Sequence, residues 1–239
     1  MSDQSLIAAN AARWQKAKAT RDFSSVARKL VLNKDRYQAI AKNVLTPWWA
    51  IAVIHEREAS GDFSRNIAQG DPWNQVSTHV PKGRGPFSSF EAAAKDALLN
   101  CDPRAGTWTD WSPGGTFTIL EKYNGLGYAN RGLPSPYIWS GTDQYVKGKY
   151  VADDVFDPNA VDQQLGCAGL VMAMRKIDPS IKFADEKPPV VQPKHAAGIA
   201  AIVAAIAAAL QAHSTEVIVG VLVAGVVVAL LLHLFWPKK

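Results

Sequence analysis

The chain has 239 residues, a mean hydropathy of -0.07 and a formal net charge of +5. Average values of this size are ordinary for a soluble protein. The average conceals a C-terminal run of 20 residues, Val217 to Trp236, in which no side chain carries a formal charge. As a helix this run would cover roughly 30 Å of hydrocarbon, which is enough to span a bilayer. A purely soluble protein is therefore disfavoured, and so is a multi-pass transporter, because no comparable stretch precedes this run.

The basic excess of the chain lies at its N-terminus. Residues 1–45 hold nine Lys or Arg against three Asp or Glu, and apolar residues recur there at helical spacing between Leu6 and about Val44. This pattern predicts a basic segment of two or three short helices that packs on the core or precedes it. The positive face is either a contact for an anionic membrane or wall polymer, or only the solvated side of amphipathic helices.

A buried helix is predicted next, over Trp48 to Ala59. Thr46 and Pro47 have the residue types of an N-cap followed by a proline in the first turn. The segment after them is almost entirely apolar, so the helix must be covered on most sides. Its end is predicted at Ser60-Gly61, and the Gly, Pro, Asn and Ser content of residues 61–89 predicts a long loop or a small β excursion.

Three further helices and two irregular regions complete the predicted domain, which is mainly α-helical and spans residues 46–183. In chain order they are a helix over Phe90 to Leu99, a loop over Asp102 to Gly115, a helix over Thr116 to Tyr123, a Gly- and aromatic-rich segment to about Tyr150, and a helix over Asn159 to Lys176 capped by Asp157-Pro158. Gly166 and Gly169 in the last helix predict close packing against a neighbour.

The proline-rich residues 184–195 are predicted to form a semi-rigid linker to a membrane segment, residues 196–239. The apolar run 217–236 is the predicted span, and the shorter Ala/Ile run 196–212 is a candidate first helix of a hairpin. By the distribution of lysines, one span places the domain outside the cytoplasmic membrane, whereas two spans place it inside. The tail is also a candidate site of self-association. The N-terminus lacks the apolar core of a cleaved signal peptide, so any targeting information is expected in this tail.

No metal, cofactor or phosphate site is predicted from side-chain spacing, because the histidines are scattered and neither cysteine has a ligand partner. The chemistry suggested by the residues instead concerns carboxylates at the end of a buried helix. Glu56 and Glu58 follow an apolar run, and burial disfavours the ionised form of a carboxyl group, as a general acid requires. At 100° per residue the two project about 160° apart, and both stripes are apolar, so periodicity leaves open which one faces a substrate.

Two motifs resemble those of goose-type lysozymes and lytic transglycosylases. The segment Ala52-Val-Ile-His-Glu-Arg-Glu58-Ala-Ser60 is similar to the helix end that carries their catalytic acid, and Tyr123-Asn124-Gly125 resembles their Tyr-Asn-x-Gly element. Gly70-Asp-Pro, Thr78-His-Val-Pro and the segment from Glu121 to Tyr137 resemble lysozyme-like proteins of bacteria and phages. The resemblance covers roughly residues 46–176. Ala59 stands where those families usually have Ser, and their Gly-Leu-Met-Gln segment is absent.

This resemblance implies a lysozyme-like domain with Glu58 as the general acid and with Tyr123, Asn124 and Gly125 in the substrate cleft. A hydrolase also needs a second carboxylate, for which Asp71 is favoured over Asp62 and Asp110, although a Gly-Asp-Pro turn is equally a structural element. The transglycosylases need no second carboxylate. Aromatic residues concentrated in the loops could stack on sugar rings: Trp73, Trp108, Trp111, Trp139, Tyr128 and Tyr137.

The sequence therefore predicts a membrane-anchored, endolysin-type muramidase that cleaves the MurNAc-GlcNAc bond of peptidoglycan glycan strands. A proline linker and an anchor would hold such a domain close to the wall and raise its effective concentration there. The alternatives are a lytic transglycosylase with 1,6-anhydro products, a holin-like hairpin carrying a non-catalytic domain, and an inactive wall-binding module. Nucleic-acid binding is disfavoured, because the basic excess is modest and lacks interleaved aromatics.

Overall fold

The computed structural model describes residues 2–79 and 81–186, which are mainly α-helical. Within these residues nine helices are present: α1 (Asp3–Lys16), α2 (Ser24–Leu32), α3 (Lys34–Ala41), α4 (Trp48–Ala59), α5 (Phe90–Asn100), α6 (Pro113–Asn124), α7 (Gly127–Asn130), α8 (Pro136–Trp139) and α9 (Cys167–Ile177). One antiparallel hairpin, β1 (Lys149–Ala152) and β2 (Val155–Asp157), precedes α9. The predicted mainly helical class is thus confirmed, and the N-terminal segment, for which two or three short helices were predicted, contains three.

The central helix of the core is α4, which has the bounds that its apolar pattern predicts. Seven consecutive residues from Trp49 to His55 are buried, so the helix is covered on all sides over this stretch. Its beginning differs from the prediction: Pro47 is the N-cap, and the Thr46 hydroxyl donates a hydrogen bond to the Ala105 carbonyl at 2.8 Å instead of capping. Ser60 ends the helix in the left-handed conformation, with φ 53°.

The basic N-terminal segment packs directly on the rest of the domain. Helix α1 lies against α6, and α2 lies against α9. Gly169 permits the second contact as predicted, because a Cβ atom there would overlap the Phe23 ring. The compact unit continues to Glu186, where the Glu186 carboxylate accepts hydrogen bonds from Arg175 at 2.7 and 2.8 Å. Residues 184–186, the predicted start of the linker, are therefore part of the domain.

The loop between α4 and α5 is irregular but well anchored. Among the loop residues that the structure describes, the only strand-like feature is an isolated bridge between Arg65 and Pro72. Tyr123 on α6 donates its hydroxyl hydrogen to the Ile67 carbonyl at 2.8 Å, which ties the loop to the core. Gly70 lies against the end of α4, where a Cβ atom would stand 2.8 Å from the Glu58 carbonyl oxygen. The loop is therefore held next to the C-terminal turn of α4.

The last helix is shorter than predicted, since α9 begins at Cys167 and not at Asn159. The Asp157 side chain accepts hydrogen bonds from the main-chain N–H groups of Asn159 and Ala160, so it caps a turn and not a helix. The segment that follows is irregular and continues to Gly166, which is the N-cap of α9. The Asp-Pro pair was a turn signal in this context.

Among the described residues, no helix combines the length and the apolar character that a bilayer span requires. The predicted span 217–236 and the candidate helix 196–212 lie outside the described residues, as does the linker beyond Glu186.

Candidate active site

Glu58 lies in the last turn of α4, half-buried, with its carboxyl group facing α8. The Tyr137 hydroxyl donates a hydrogen bond to Glu58 Oε1 at 2.9 Å. Burial raises the pKa of Glu58 to about 7, although the Tyr137 hydrogen bond and the Arg57 charge oppose this rise. A large fraction of Glu58 therefore carries its proton at neutral pH, as a general acid must.

Glu56 occupies a different face of the same helix end. Its carboxyl group and the Lys29 ammonium both lie next to Gly61, since a Cβ atom at Gly61 would stand 3.1 Å from Glu56 Oε2 and 3.2 Å from Lys29 Nζ. Burial also raises the pKa of Glu56, with Lys29 opposing it. The structure thus separates the two carboxylates that helical periodicity left equivalent: Glu58 contacts Tyr137, and Glu56 lies near Lys29.

An open cleft of about 360 Å³ lies beside Glu58, between α4, α7, α8 and the hairpin. Its lining residues are Arg57, Asn124, Gly125, Gly127, Tyr128, Pro136, Tyr137, Lys149, Tyr150, Ala152, Asp153, Asp154, Asp162 and Gln164. Glu58 is not itself a lining residue. Tyr137 is one, and it connects the cleft to the Glu58 carboxyl group through its hydroxyl hydrogen bond.

A chain of charges forms one wall of this cleft. The Asp162 carboxylate is almost fully buried and accepts hydrogen bonds from Arg57 Nη2 at 3.0 Å and from Lys149 Nζ at 2.9 Å. The Arg57 guanidinium carbon stands 4.7 Å from the centroid of the Tyr137 ring, a cation–π distance. One carboxylate therefore serves two cations, and one of them contacts the tyrosine that binds Glu58.

Asp71, the favoured second carboxylate, is held by three hydrogen bonds within its own loop. Oδ2 accepts from the main-chain N–H groups of Thr78 at 2.9 Å and His79 at 3.1 Å, and Oδ1 lies 2.7 Å from His79 Nδ1. Burial would raise the pKa of Asp71, but these hydrogen bonds outweigh it and hold the pKa below its ordinary value. Asp71 is therefore ionised at neutral pH. The residue before it, Gly70, lies against the main-chain carbonyl of Glu58.

The two other candidates for the second carboxylate have local structural roles. Asp62 accepts hydrogen bonds from the main-chain N–H and the hydroxyl of Ser64. Asp110 accepts from the Ser112 N–H at 3.1 Å, just before α6 begins. None of the three, Asp71 included, is among the residues that line the cleft.

The structure brings four of the predicted substrate-binding residues to the cleft: Asn124, Gly125, Tyr128 and Tyr137. Tyr123 anchors the Ile67 carbonyl instead, and the Trp73 indole donates to the Phe63 carbonyl at 2.8 Å. The three other tryptophans that the sequence singled out, Trp108, Trp111 and Trp139, are also absent from the cleft lining. Trp139 is fully buried in the core, and the Trp108 and Trp111 indoles donate to neighbouring loop carbonyls.

Sequence reasoning missed Arg57, Lys149, Tyr150, Asp162 and Gln164 as lining residues. Arg57 adjoins Glu58, and this adjacency was the one available signal. Asp162 is 105 residues from Arg57, so no local pattern relates the two. Among the described residues, no group of three or more His, Cys, Asp or Glu side chains is arranged to bind a metal ion.

Comparison of the chain with known proteins gives no match: no family model, no curated protein and no solved structure is similar to it. Functional inference therefore depends on the motifs and on the geometry around Glu58.

Proposed function

We propose that the protein is a peptidoglycan-cleaving glycosidase of the lysozyme-like class, with Glu58 as the general acid. The observation that carries this proposal is a glutamate at the end of a buried helix, with a raised pKa, hydrogen-bonded by a tyrosine of an open cleft. Cleavage of a glycosidic bond requires a protonated carboxyl group at the leaving oxygen. The resemblance of the Glu58 and Tyr123-Asn124-Gly125 motifs to those of goose-type lysozymes and lytic transglycosylases supports the same class.

The opposite behaviour of two carboxyl groups supports a hydrolase. Glu58 has a raised pKa and Asp71 a lowered one, so at neutral pH one holds a proton while the other is charged. Environments that separate two pKa values in this way are how glycosidases assign the acid and its ionised partner. We accordingly assign Asp71 as the carboxylate that activates water or stabilises the developing cation.

The cleft has the polar and aromatic groups that bind a sugar chain. Tyr150 is half-buried and is in edge-to-face contact with the buried Tyr128, with ring centroids 5.1 Å apart, and the exposed Asn124 and Gln164 offer side-chain amides. Aromatic faces stack on the apolar faces of sugars, and amides form hydrogen bonds with hydroxyl and acetamido groups. The proposed substrate is the MurNAc-GlcNAc backbone of peptidoglycan, and the apolar run 217–236 would keep the enzyme at the membrane beside the wall.

The experiment is digestion of purified peptidoglycan by the full-length protein, with mass analysis of the released fragments. A muramidase yields fragments with a reducing MurNAc end, whereas a lytic transglycosylase yields 1,6-anhydro ends that are lighter by one water. Glu58→Gln should abolish release while circular dichroism remains unchanged. Binding to peptidoglycan without any released fragment would support a wall-binding module and overturn the proposal.

A further inference from the structure

Asp162 occupies a position where two elements of the cleft meet. Its side chain is 4% exposed, and its two carboxylate oxygens bind cations from different elements, Arg57 of α4 and Lys149 of β1. Its backbone is fixed as well. The Asp162 N–H donates to the Tyr145 hydroxyl oxygen at 3.0 Å, and its carbonyl accepts from the Ser140 hydroxyl at 2.9 Å. The carboxylate is therefore an immobile junction between α4 and the hairpin.

Arg57 is held against Tyr137 by this junction. The Arg57 side chain is 7% exposed, and Nη1 donates to the Leu165 carbonyl at 3.3 Å. The Arg57 main-chain carbonyl also accepts from the Gln164 side chain at 3.1 Å. The segment 162–165 thus clamps both the side chain and the backbone of Arg57. With the guanidinium fixed over its ring, Tyr137 directs its hydroxyl group to Glu58.

Arg57 is the one full charge among the groups that face Glu58 within the described residues. The other titratable groups that interact electrostatically with Glu58 are Tyr123 from α6, Tyr137 from α8 and Cys167 from α9, whose pKa values the Glu58 charge raises. Burial raises the pKa of all three, to about 12 for the Cys167 thiol, so they are neutral near pH 7. The electrostatic potential at Glu58 therefore depends on how far Arg57 is compensated, and its counter-ion is Asp162.

We propose that Asp162 is a positioning residue for Glu58: it holds the Arg57 guanidinium against the Tyr137 ring and, through Lys149, couples this contact to the hairpin at the cleft. Its relevance to glycoside cleavage rests on the proposed function, whereas the coupling between Asp162 and Glu58 does not. The Asp162 carboxylate remains charged near pH 7, because Arg57 and Lys149 outweigh the effect of burial and lower its pKa.

The direct test is an NMR titration of the Glu58 side-chain carboxyl carbon in the full-length protein, with Glu58→Gln used to assign the resonance. Asp162→Asn keeps the size of the side chain but leaves the Arg57 charge uncompensated. We expect the pKa of Glu58 to fall by about one unit, since an uncompensated cation within a few ångströms favours the carboxylate. The double variant Arg57→Gln with Asp162→Asn removes both charges and should return the value toward that of the wild type.

Asp143→Asn is the matched control. Asp143 accepts a hydrogen bond from the Lys18 N–H at 2.8 Å and has no contact with Arg57. It should leave the Glu58 titration unchanged. A purely structural role for Asp162 would lower the unfolding temperature without shifting the titration, and an unchanged titration in folded Asp162→Asn would overturn the proposal.

Lys149→Gln keeps the proposal testable if Asp162→Asn does not fold, because the Lys149 side chain is 39% exposed and tolerates replacement more readily. Removal of this cation should raise the pKa of Glu58, and no change would again contradict the coupling. Peptidoglycan digestion by the same variants separates the two proposals. If Glu58→Gln retained full activity while Asp162→Asn shifted the Glu58 titration, the coupling between Asp162 and Glu58 would stand. The proposal that the protein is a glycosidase with Glu58 as its acid would then be rejected.

Discussion

Glu56 and Glu58 stand two residues apart at the end of one helix, yet their surroundings differ. Burial raises the pKa of both. Glu56 lies near the ammonium group of Lys29, whereas Glu58 accepts a hydrogen bond from a tyrosine that lines the cleft. The comparison teaches that a raised pKa alone does not identify an acid catalyst. A neutral hydrogen-bond donor that itself lines the cleft, Tyr137, distinguishes Glu58 from its neighbour.

The pH dependence of activity should show the largest effect of this difference. With the pKa of Glu58 at about 7 in the free enzyme, kcat/KM should fall roughly tenfold per pH unit above that value, as the acid loses its proton. Tyr137→Phe removes the hydrogen bond that favours the carboxylate, so this limb should move to higher pH. The measurement is the rate of peptidoglycan solubilisation between pH 5 and 9. If the decline of kcat/KM occurs at the same pH in Tyr137→Phe as in the wild type, the assignment of Glu58 as the titrating acid is contradicted.

Two glycines near the end of α4 allow a matched test of stability. Gly61 and Gly70 both have positive φ, so either substitution to Ala carries backbone strain. A Cβ atom at Gly61 would meet the flexible ends of Glu56 and Lys29, whereas at Gly70 it would meet the Glu58 carbonyl at 2.8 Å. Gly70→Ala should therefore cost about 2–3 kcal/mol and Gly61→Ala about 1 kcal/mol. Equal losses in urea unfolding would show that the loop does not press on the Glu58 backbone.

The proton on Glu58 should also appear in the stability of the protein. The folded pKa of Glu58, about 7, exceeds its ordinary value of 4.5, so its stabilising contribution is complete below pH 4.5 and is lost as the pH rises through 7. Glu58→Gln should therefore leave stability unchanged at pH 4 and increase it by up to about 3 kcal/mol at pH 8.5. Glu56→Gln should give a smaller gain in stability, because this variant also loses the favourable interaction of the Glu56 carboxylate with the Lys29 charge. A loss of stability in Glu58→Gln at pH 8.5 would contradict the raised pKa.

Features that depend on neighbouring residues in the chain could be predicted from the sequence, whereas features that depend on contacts between distant residues could not. The bounds of α4 were predictable because an apolar run ended at a Ser-Gly pair that adopts positive φ. The beginning of α9 was not, since Asp157-Pro158 has the residue types of a helix cap but the segment after it pairs with Arg57 and Lys149. Such contacts join residues that lie far apart in the chain, and no local pattern encodes them.

The candidate site divides in the same way. Asn124 and Gly125, which line the cleft, could be predicted from a motif that is local in sequence, whereas Tyr123 of the same motif lies outside the lining. Glu58 was also a candidate from a local motif, and its catalytic role stays a prediction. The tryptophan count was misleading, because an indole such as that of Trp139 fills the core as readily as it stacks on a sugar. Asp162 could be recognised only from the three-dimensional structure, because its partner Arg57 lies 105 residues away in the sequence.

The most direct test of the central claim is the rate of peptidoglycan solubilisation by Glu58→Gln and Glu56→Gln, measured side by side in the full-length protein near pH 6. Each variant removes one ionisable group and keeps the size of the side chain. Loss of general acid catalysis should slow Glu58→Gln by a factor of about 10² to 10⁴, while Glu56→Gln stays within about twofold of the wild type. Loss of activity in Glu56→Gln with Glu58→Gln unaffected would place the acid on the other face of α4 and contradict the account.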